Sequence, residues 1–591
     1  MKLKVIAQPL PIGAEFRPGV DAIPETMFAY GVRSELRPNP KKEGEMMRVG
    51  LHGQPADAIV QVQVPVPKPA PHEVLVYIKA AGHNFNGSWA AQGMPVSPFA
   101  FPRNKNADVQ ILGSDAAGIV VAVGAEVTDW KLGDEGVLYC GGDDIAEALP
   151  PSGDSMEKKS FHITGYEDAV GWFSQFTAID ARQVRRRPQH LSWEDSSSYG
   201  LCAPTSYRAL ERAGIRAGST VLVWGAAGGT GDFAIKIARA LGAKHVIGVV
   251  SSDEKGKKVL DAGATGFINR KGFDRGLWGQ IPVDPKERNA WRDQADLFKN
   301  ELFHLTKGCL ADVVIEHPGE QTYPVSNHVL ADNGRIAIFA GTTGYKLTFE
   351  AKEPSMALEE MLAGAQLRDG SNVVIHGAYA FARQVFDVVT QFKANVVSVV
   401  NNAEEAAAVA AWDVEGKYLR GVVKLSDFII PNDMPSPPHP LLSREEMKRH
   451  AEYDASTARP FRDAVRALLG KAFPDIIVKT MGTPEQTLDL DVFTVRPFGS
   501  VILAGPGIAG TRFAFDVRFL WMFQKRVWPN HVGTHYANHN QTQATNDLIE
   551  AGQIAITPAQ VFDWKDLAHA QQVMLEGGAE APKLVTRVAS K

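Results

Sequence analysis

Residues 221–243 read VLVWGAAGGTGDFAIKIARALGA. An apolar run, Val221 to Trp224, meets Gly225, Gly228, Gly229 and Gly231, and then a helical apolar period begins. A buried strand that turns through glycines into a helix lets the backbone approach a pyrophosphate, and the first free N–H groups of the helix face that anion. The strand before and the helix after are what lift a glycine string above chance. The next strand, HVIGVVSS, ends on Ser251 and Ser252. Binding of NAD favours an acidic residue at that strand end, to hold the ribose hydroxyls. Two hydroxyls there, with Lys255, Lys257, Lys258 and Arg270 downstream, favour a 2′-phosphate and hence NADPH. Asp253 lies close beside them and points the other way.

Working outward from this loop, the texture of the chain changes around Trp193. Before it, VQVPVPKPAPHEVLVYIKAAG and GSDAAGIVVAVGAEVTDWKLGDEGVLY alternate apolar and polar residues between prolines and glycines, a pattern of short strands. After it, helix and strand alternate, which predicts a parallel sheet covered on both faces. The fold class is therefore α/β, with a β-rich domain beside a doubly wound sheet. The expected organisation is an extension over 1–45, a β-rich domain over 46–194 completed by 556–591, a dinucleotide-binding domain over 195–350 completed by 514–555, and an inserted unit over 351–513.

The inserted unit looks like a second copy of the first. PTSYRALERAGIRAGSTVLVWGAAGGTG is echoed by PSMALEEMLAGAQLRDGSNVVIHGAYAFAR, and GEQTYPVSNHVLADNGRIAIFAGTTGYKLTFE by TPEQTLDLDVFTVRPFGSVILAGPGIAGTRFAFD. Self-similarity at this scale indicates duplication of one folding unit. The second copy has Gly377-Ala-Tyr379-Ala-Phe381-Ala-Arg383 where the first has its glycines. Phe381 and Arg383 crowd the pyrophosphate approach, so this copy is expected to be structural: an oligomer contact or a wall of the substrate channel.

The composition is that of a globular protein: 591 residues, 45% hydrophobic and 22% charged, which predicts several domains. A net charge of −5 argues against a nucleic-acid partner. The three cysteines, Cys140, Cys202 and Cys309, form no CxxC pair, which fits a reducing cytoplasm and offers no cysteine-rich metal lobe. The N-terminus lacks the apolar run of a signal peptide, and no stretch has the length of a membrane span.

Several strings in order resemble the crotonyl-CoA carboxylase/reductase family of zinc-free medium-chain dehydrogenases. They are HNFNGSWAAQGMPVSPF, GSDAAGIVVAVG, ITGYEDAVGWFSQFTAI, VLVWGAAGGTG, INRKGF with WGQ, IEHPGEQTYPVS, FAGTTGY, and FDVRFLWMFQKR followed by HYAN. The resemblance omits the N-terminal extension and residues 351–513, where the family runs straight from TFE to FAFD. It implies a GroES-like catalytic domain and a Rossmann domain holding NADPH. It also implies hydride addition to Cβ of an α,β-unsaturated acyl-CoA, followed by attack of the enolate on CO₂ to give an alkylmalonyl-CoA.

By the same resemblance, Asn86 donates to CO₂, Tyr166 offers its backbone N–H, and Glu167 and His535 hold a water, or one another, so that the imidazole faces CO₂. Gly341 and Thr342 of FAGTTGY join the cofactor-binding set, and Arg518, Lys525 and Arg526 are candidates for the CoA phosphates. No metal is expected. Asn84 stands in the region of the cysteine ligand of zinc-using relatives, and Gly113-Ser114-Asp115 replaces their His-Glu pair. A homo-oligomer, dimer or tetramer, is expected. Two departures bear on carboxylation. KRVWPNHVGTHYAN is longer than the family's link from KR to the His motif, which makes His531 a rival to His535. The inserted copy also precedes this link. The alternatives are an enoyl-CoA reductase that protonates its enolate, of the acryloyl-CoA or quinone-reductase kind, and an NADPH-binding structural protein without turnover.

Overall fold

The computed structural model describes all residues except 1–4, 7, 40–43, 151, 353–355, 439–442, 481–484, 506–507 and 590–591. The start of the second copy at Pro354 lies outside the described residues. The chain divides into two compact units: Met1–Arg208 with Gly228–Ile237 and Tyr536–Lys591, and Ala209–Ala227 with Ala238–His535.

The first unit is built on β-sheet. Strands Val184–Arg186, Glu135–Tyr139, Asp115–Val123, Glu73–Gly82, Leu584–Arg587 and Gln560–Asp563 lie side by side in that order, with Phe176–Asp180 also paired to Glu73–Gly82. Glu73–Gly82 is buried along nine of its ten residues, as expected for a strand covered on both faces. A second sheet forms around the long strand Thr26–Pro38, which pairs with Met46–Gly50, Val60–Pro65 and Val109–Ile111. This corrects the expectation of an N-terminal extension over 1–45. Residues 26–38 are an integral strand, with Met27, Ala29 and Val32 closed to solvent.

The second unit holds a single sheet of twelve strands. In chain order these are β1 (Thr220–Val223), β2 (His245–Val250), β3 (Gly266–Asn269), β4 (Ala311–Glu316), β5 (Leu330–Ile338), β6 (Asn372–His376), β7 (Asn395–Val400), β8 (Leu419–Lys424), β9 (Ile476–Lys479), β10 (Ser500–Leu503), β11 (Arg526–Trp528) and β12 (His531–Gly533). Across the sheet the order is β3-β2-β1-β4-β5-β12-β11-β10-β9-β6-β7-β8. The first six follow the 3-2-1-4-5-6 order of a doubly wound nucleotide-binding sheet, and the last six repeat it in mirror order. Every pairing is parallel except the central one, where β11 and β12 run antiparallel with Val527 opposite His531.

This arrangement explains the long link KRVWPNHVGTHYAN. Arg526–Trp528 is the sixth strand of the second copy, His531–Gly533 is the sixth strand of the first, and a tight turn joins them. Two more strands complete the joint. Lys346–Glu350 from the first copy pairs antiparallel with Arg512–Asp516 from the second, with Thr348 opposite Ala514 at the middle.

Candidate active site

In the first unit, the helix Phe85–Gln92 begins at Asn84, and Asn86 stands in its first turn. The Asn86 amide donates to Ser114 Oγ at 2.9 Å, and the Ser114 hydroxyl donates onward to the Thr164 carbonyl at 2.7 Å. Serine can pass a bond along in this way because one hydroxyl both accepts and donates. The loops carrying Ser114 and Thr164 meet backbone to backbone. Gly165 sits at φ +83°, and a Cβ there would lie 2.2 Å from the Gly113 carbonyl oxygen. Only glycine permits that approach without strain.

Glu167 lies on the same loop, and its carboxyl accepts the Ile163 N–H at 2.8 Å. Burial pushes this carboxyl up to about 7, against the opposing pull of that hydrogen bond. Tyr166 anchors the loop from the other side, its hydroxyl donating to the Val96 carbonyl at 3.0 Å and also to the Met94 carbonyl. The Tyr166 backbone N–H donates to the Ile163 carbonyl at 3.2 Å, closing a turn. That donor is committed within the loop, which differs from the role suggested by resemblance.

Behind Asn86 lies a buried polar cluster that sequence reasoning did not assemble. Lys583 Nζ donates to Asn84 Oδ1 at 2.6 Å and to Asp115 Oδ2 at 2.8 Å, and lies 3.6 Å from Cys202 Sγ. The Asn84 amide donates to the same Asp115 oxygen at 2.8 Å. Burial favours the neutral form of each partner, pushing the Asp115 carboxyl up and the Lys583 ammonium down. For the lysine, Asp115 and Cys202 together outweigh burial and hold the ammonium above its ordinary range. We take the pair as ionised, because one carboxylate oxygen receives two donors. A lone lysine in the string APKLVT carries no local signal of this role.

In the second unit, Gly225 follows β1 at φ +54°, and a Cβ there would lie 2.3 Å from the imidazole Nε2 of His317. Burial pushes His317 down to about 4, so the ring is neutral. Thr342 N–H donates to the His317 carbonyl at 3.4 Å, and Gly341 (φ +150°) lies against the Tyr345 ring, so the strand end that carries both is tied to this loop. Ser251 and Ser252 follow β2, which closes at Val250. The Ser252 hydroxyl accepts the Lys255 N–H at 3.4 Å and caps the helix Asp253–Asp261. Asp253, next in the chain, accepts a hydrogen bond from the Asn269 amide at 2.9 Å, and Arg270 directly follows Asn269. Gly228, Gly229 and Gly231 belong to the first unit. There a Cβ on Gly229 would meet the Lys583 side chain at 2.7 Å.

The two candidate histidines differ in kind. His531 is buried, shares a 2.6 Å hydrogen bond with the Tyr323 hydroxyl, and packs 4.4 Å from the Phe349 ring. Burial pushes it down to about 3, so it is a neutral core residue. His535 is half-buried and stacks on Trp521, with ring centres 5.3 Å apart. The CoA candidates are differently placed from the expectation. Arg518 makes a two-pronged pair with Asp516 at 3.1 and 2.6 Å. Lys525 is buried, its Nζ donates to the Val492 carbonyl at 2.6 Å, and burial lowers it to about 7. Arg526 donates to the Gly364 carbonyl at 3.3 Å and lies over the Trp528 ring. A buried lysine spent on carbonyls and an arginine neutralised by its own neighbour make no phosphate cradle.

Comparison with known proteins matches this architecture. Residues 70–189 match the model of the alcohol dehydrogenase GroES-like domain, and residues 229–361 match that of the zinc-binding dehydrogenase. A crotonyl-CoA carboxylase/reductase of Cereibacter sphaeroides is 41% identical over 340 residues, covering 57% of this chain and 74% of the relative. A crotonyl-CoA reductase of Streptomyces avermitilis is 33% identical over 306 residues, covering 49% of this chain and 67% of the relative. A solved crotonyl-CoA carboxylase/reductase superposes with a TM-score of 0.61 at 26% identity, covering 99% of this chain and 93% of that one.

The name of the second model raises the question of zinc, and the residues present do not fit it. Among Asn84, Asp115 and Cys202 stands the Lys583 ammonium, within hydrogen-bonding reach of the two oxygens. A metal would have to displace this buried cation and accept an amide in place of a thiolate or imidazole. Among the described residues no cluster of three or more His, Cys, Asp or Glu offers another position. With a GroES-like and a Rossmann-like part, and close to three-quarters of a curated relative matched at 41% identity, the chain belongs to the crotonyl-CoA carboxylase/reductase family.

Proposed function

We propose that this protein catalyses NADPH-dependent reductive carboxylation of an α,β-unsaturated acyl-CoA of the crotonyl type, yielding an alkylmalonyl-CoA. The observation that carries the reading is the relay from Asn86 through Ser114 to Thr164. It fixes an amide in the first turn of a helix, beside the loop that carries Glu167. Neutral CO₂ must be held by placed donors, and an amide with a locked orientation is such a donor. Asn86 spends one N–H on Ser114, which leaves the other for a ligand.

The residues around Gly225 suit a dinucleotide. The close approach of His317 excludes a side chain at 225, the two positions after β2 are serines and not acidic residues, and Asp253 is drawn to Asn269. Gly225, Gly228, Gly229 and Gly231 would take the pyrophosphate, Gly341 and Thr342 would border the crevice, and Ser251, Ser252, Lys255 and Arg270 would take the 2′-phosphate. Bound NADPH supplies the hydride that makes the substrate's Cα nucleophilic. The chain's own task is then to hold CO₂ by Asn86 and to keep protons away from that carbon, since protonation competes with carboxylation. By the family resemblance, His535 is assigned as a second donor to CO₂, and Glu167 to the same chemistry.

The non-carboxylating reading draws on the Tyr166 N–H, which is spent on the Ile163 carbonyl. One assay separates the two. NADPH oxidation by crotonyl-CoA is followed with and without bicarbonate, and the acyl-CoA product is identified. Ethylmalonyl-CoA under saturating CO₂ supports carboxylation; butyryl-CoA alone reduces the protein to an enoyl-CoA reductase.

A further inference from the structure

The twelve-stranded sheet carries a consequence for self-association. A six-stranded open sheet ends in an edge strand whose free N–H and C=O groups invite a second copy. In the first copy that edge is β12, and in the second it is β11. They pair with each other, antiparallel, at the only antiparallel position in the sheet. Strand order then runs outward identically from this joint in both directions. Two copies related by an approximate two-fold axis, meeting through the same strand, have the geometry of an isologous dimer contact.

The joint is a core and not a surface seam. Phe349 from the first copy packs on Phe513 and Phe515 from the second, at 5.7 and 6.1 Å between ring centres. Tyr323 packs on Phe515, and the Arg335 guanidinium lies 5.1 Å from the ring centre of Trp528. Leu347, Phe349, Phe515, Leu520 and Val527 are all closed to solvent in one continuous cluster. In the second copy, the Phe381 ring lies 3.2 Å from the Cβ position of Gly505, at the turn after β10. This copy has kept the joint while its glycine loop has diverged.

We infer that the second copy occupies, within one chain, the place that another chain would otherwise take at the sixth strand of the first copy. The protein is a single-chain counterpart of a dimer and is monomeric in solution. On this inference the protein departs from the homo-oligomer expected from sequence.

The test is the variant Thr348→Cys/Ala514→Cys, made with Cys309→Ala to remove the exposed native thiol. It is held at low concentration and treated with a short thiol-bridging reagent. The expected product carries the bridge within one chain and shows the mass of one chain in denaturing mass spectrometry. Bridges joining two chains would overturn the proposal, as would no bridge in a variant that melts like its parent. Should the variant fail to fold, light scattering of the unmodified protein decides. One chain per particle across a wide range of concentration supports the inference, and a stable particle of two or more chains overturns it.

Discussion

The ammonium of Lys583 lies 2.8 Å from a carboxylate oxygen of Asp115, and both residues are closed to solvent, at 3% and 0% exposure. The pair is joined to Asn84, the residue from which the helix carrying Asn86 starts. A lysine thus supplies the positive charge at the root of the candidate site.

Removing one member of a buried pair strands the other charge, at a cost of about 3–5 kcal/mol. Lys583→Met is expected to lower stability on that scale in chemical denaturation. Lys583→Met with Asp115→Asn is expected to recover a large part of the loss. A single variant as stable as the parent would show that the pair is not ionised.

Asn86→Ala removes the proposed CO₂ donor. Loss of one placed donor typically costs roughly 10²–10³ in kcat, and carboxylation is expected to fall on this scale. NADPH oxidation without CO₂ is expected to fall far less. Ser114→Ala, which frees the Asn86 amide without removing it, is expected to give a smaller loss in the same direction. Product analysis under saturating CO₂ reads both.

Glu167 gives a pH signature. Its carboxyl is raised to about 7, so it is protonated below and a carboxylate above that value. In the site proposed above, a protonated Glu167 would offer the proton that competes with CO₂. At constant dissolved CO₂, the carboxylated share of product is therefore expected to rise as pH increases through about 7. Glu167→Gln is expected to flatten the profile, and an unchanged profile in that variant would remove Glu167 from the chemistry.

Arg270 is assigned to the 2′-phosphate. A hydrogen bond to a charged group contributes about 1.5–3 kcal/mol, so Arg270→Ala is expected to raise the KM for NADPH roughly ten- to a hundredfold. The KM for NADH is expected to change little. Equal effects on both cofactors would point to a structural role.

Much of this was legible locally. The strand, glycines and helix around Val221–Ala243 occupy consecutive positions, so their pattern declares itself, as does the repetition of the whole unit. The parts that were not legible depend on distant partners. The link KRVWPNHVGTHYAN read as a displaced histidine motif, because nothing nearby reveals that Val527 and His531 face each other at the centre of a sheet assembled from residues 220 to 533. Residues 26–38 read as an extension because prolines and charges flank them, while their pairing partners lie at 60–65 and 109–111. Lys525 read as a phosphate ligand, since a lysine in a string of large apolar residues gives no hint that its ammonium ends on a buried carbonyl.

The most direct measurement is the fate of labelled carbon. The protein is supplied with crotonyl-CoA, NADPH and ¹³C-bicarbonate with carbonic anhydrase, and the product is read by mass spectrometry. The account requires one labelled carboxylate per NADPH oxidised, lost in Asn86→Ala while NADPH oxidation persists. Unlabelled butyryl-CoA as the sole product of the parent protein would contradict it.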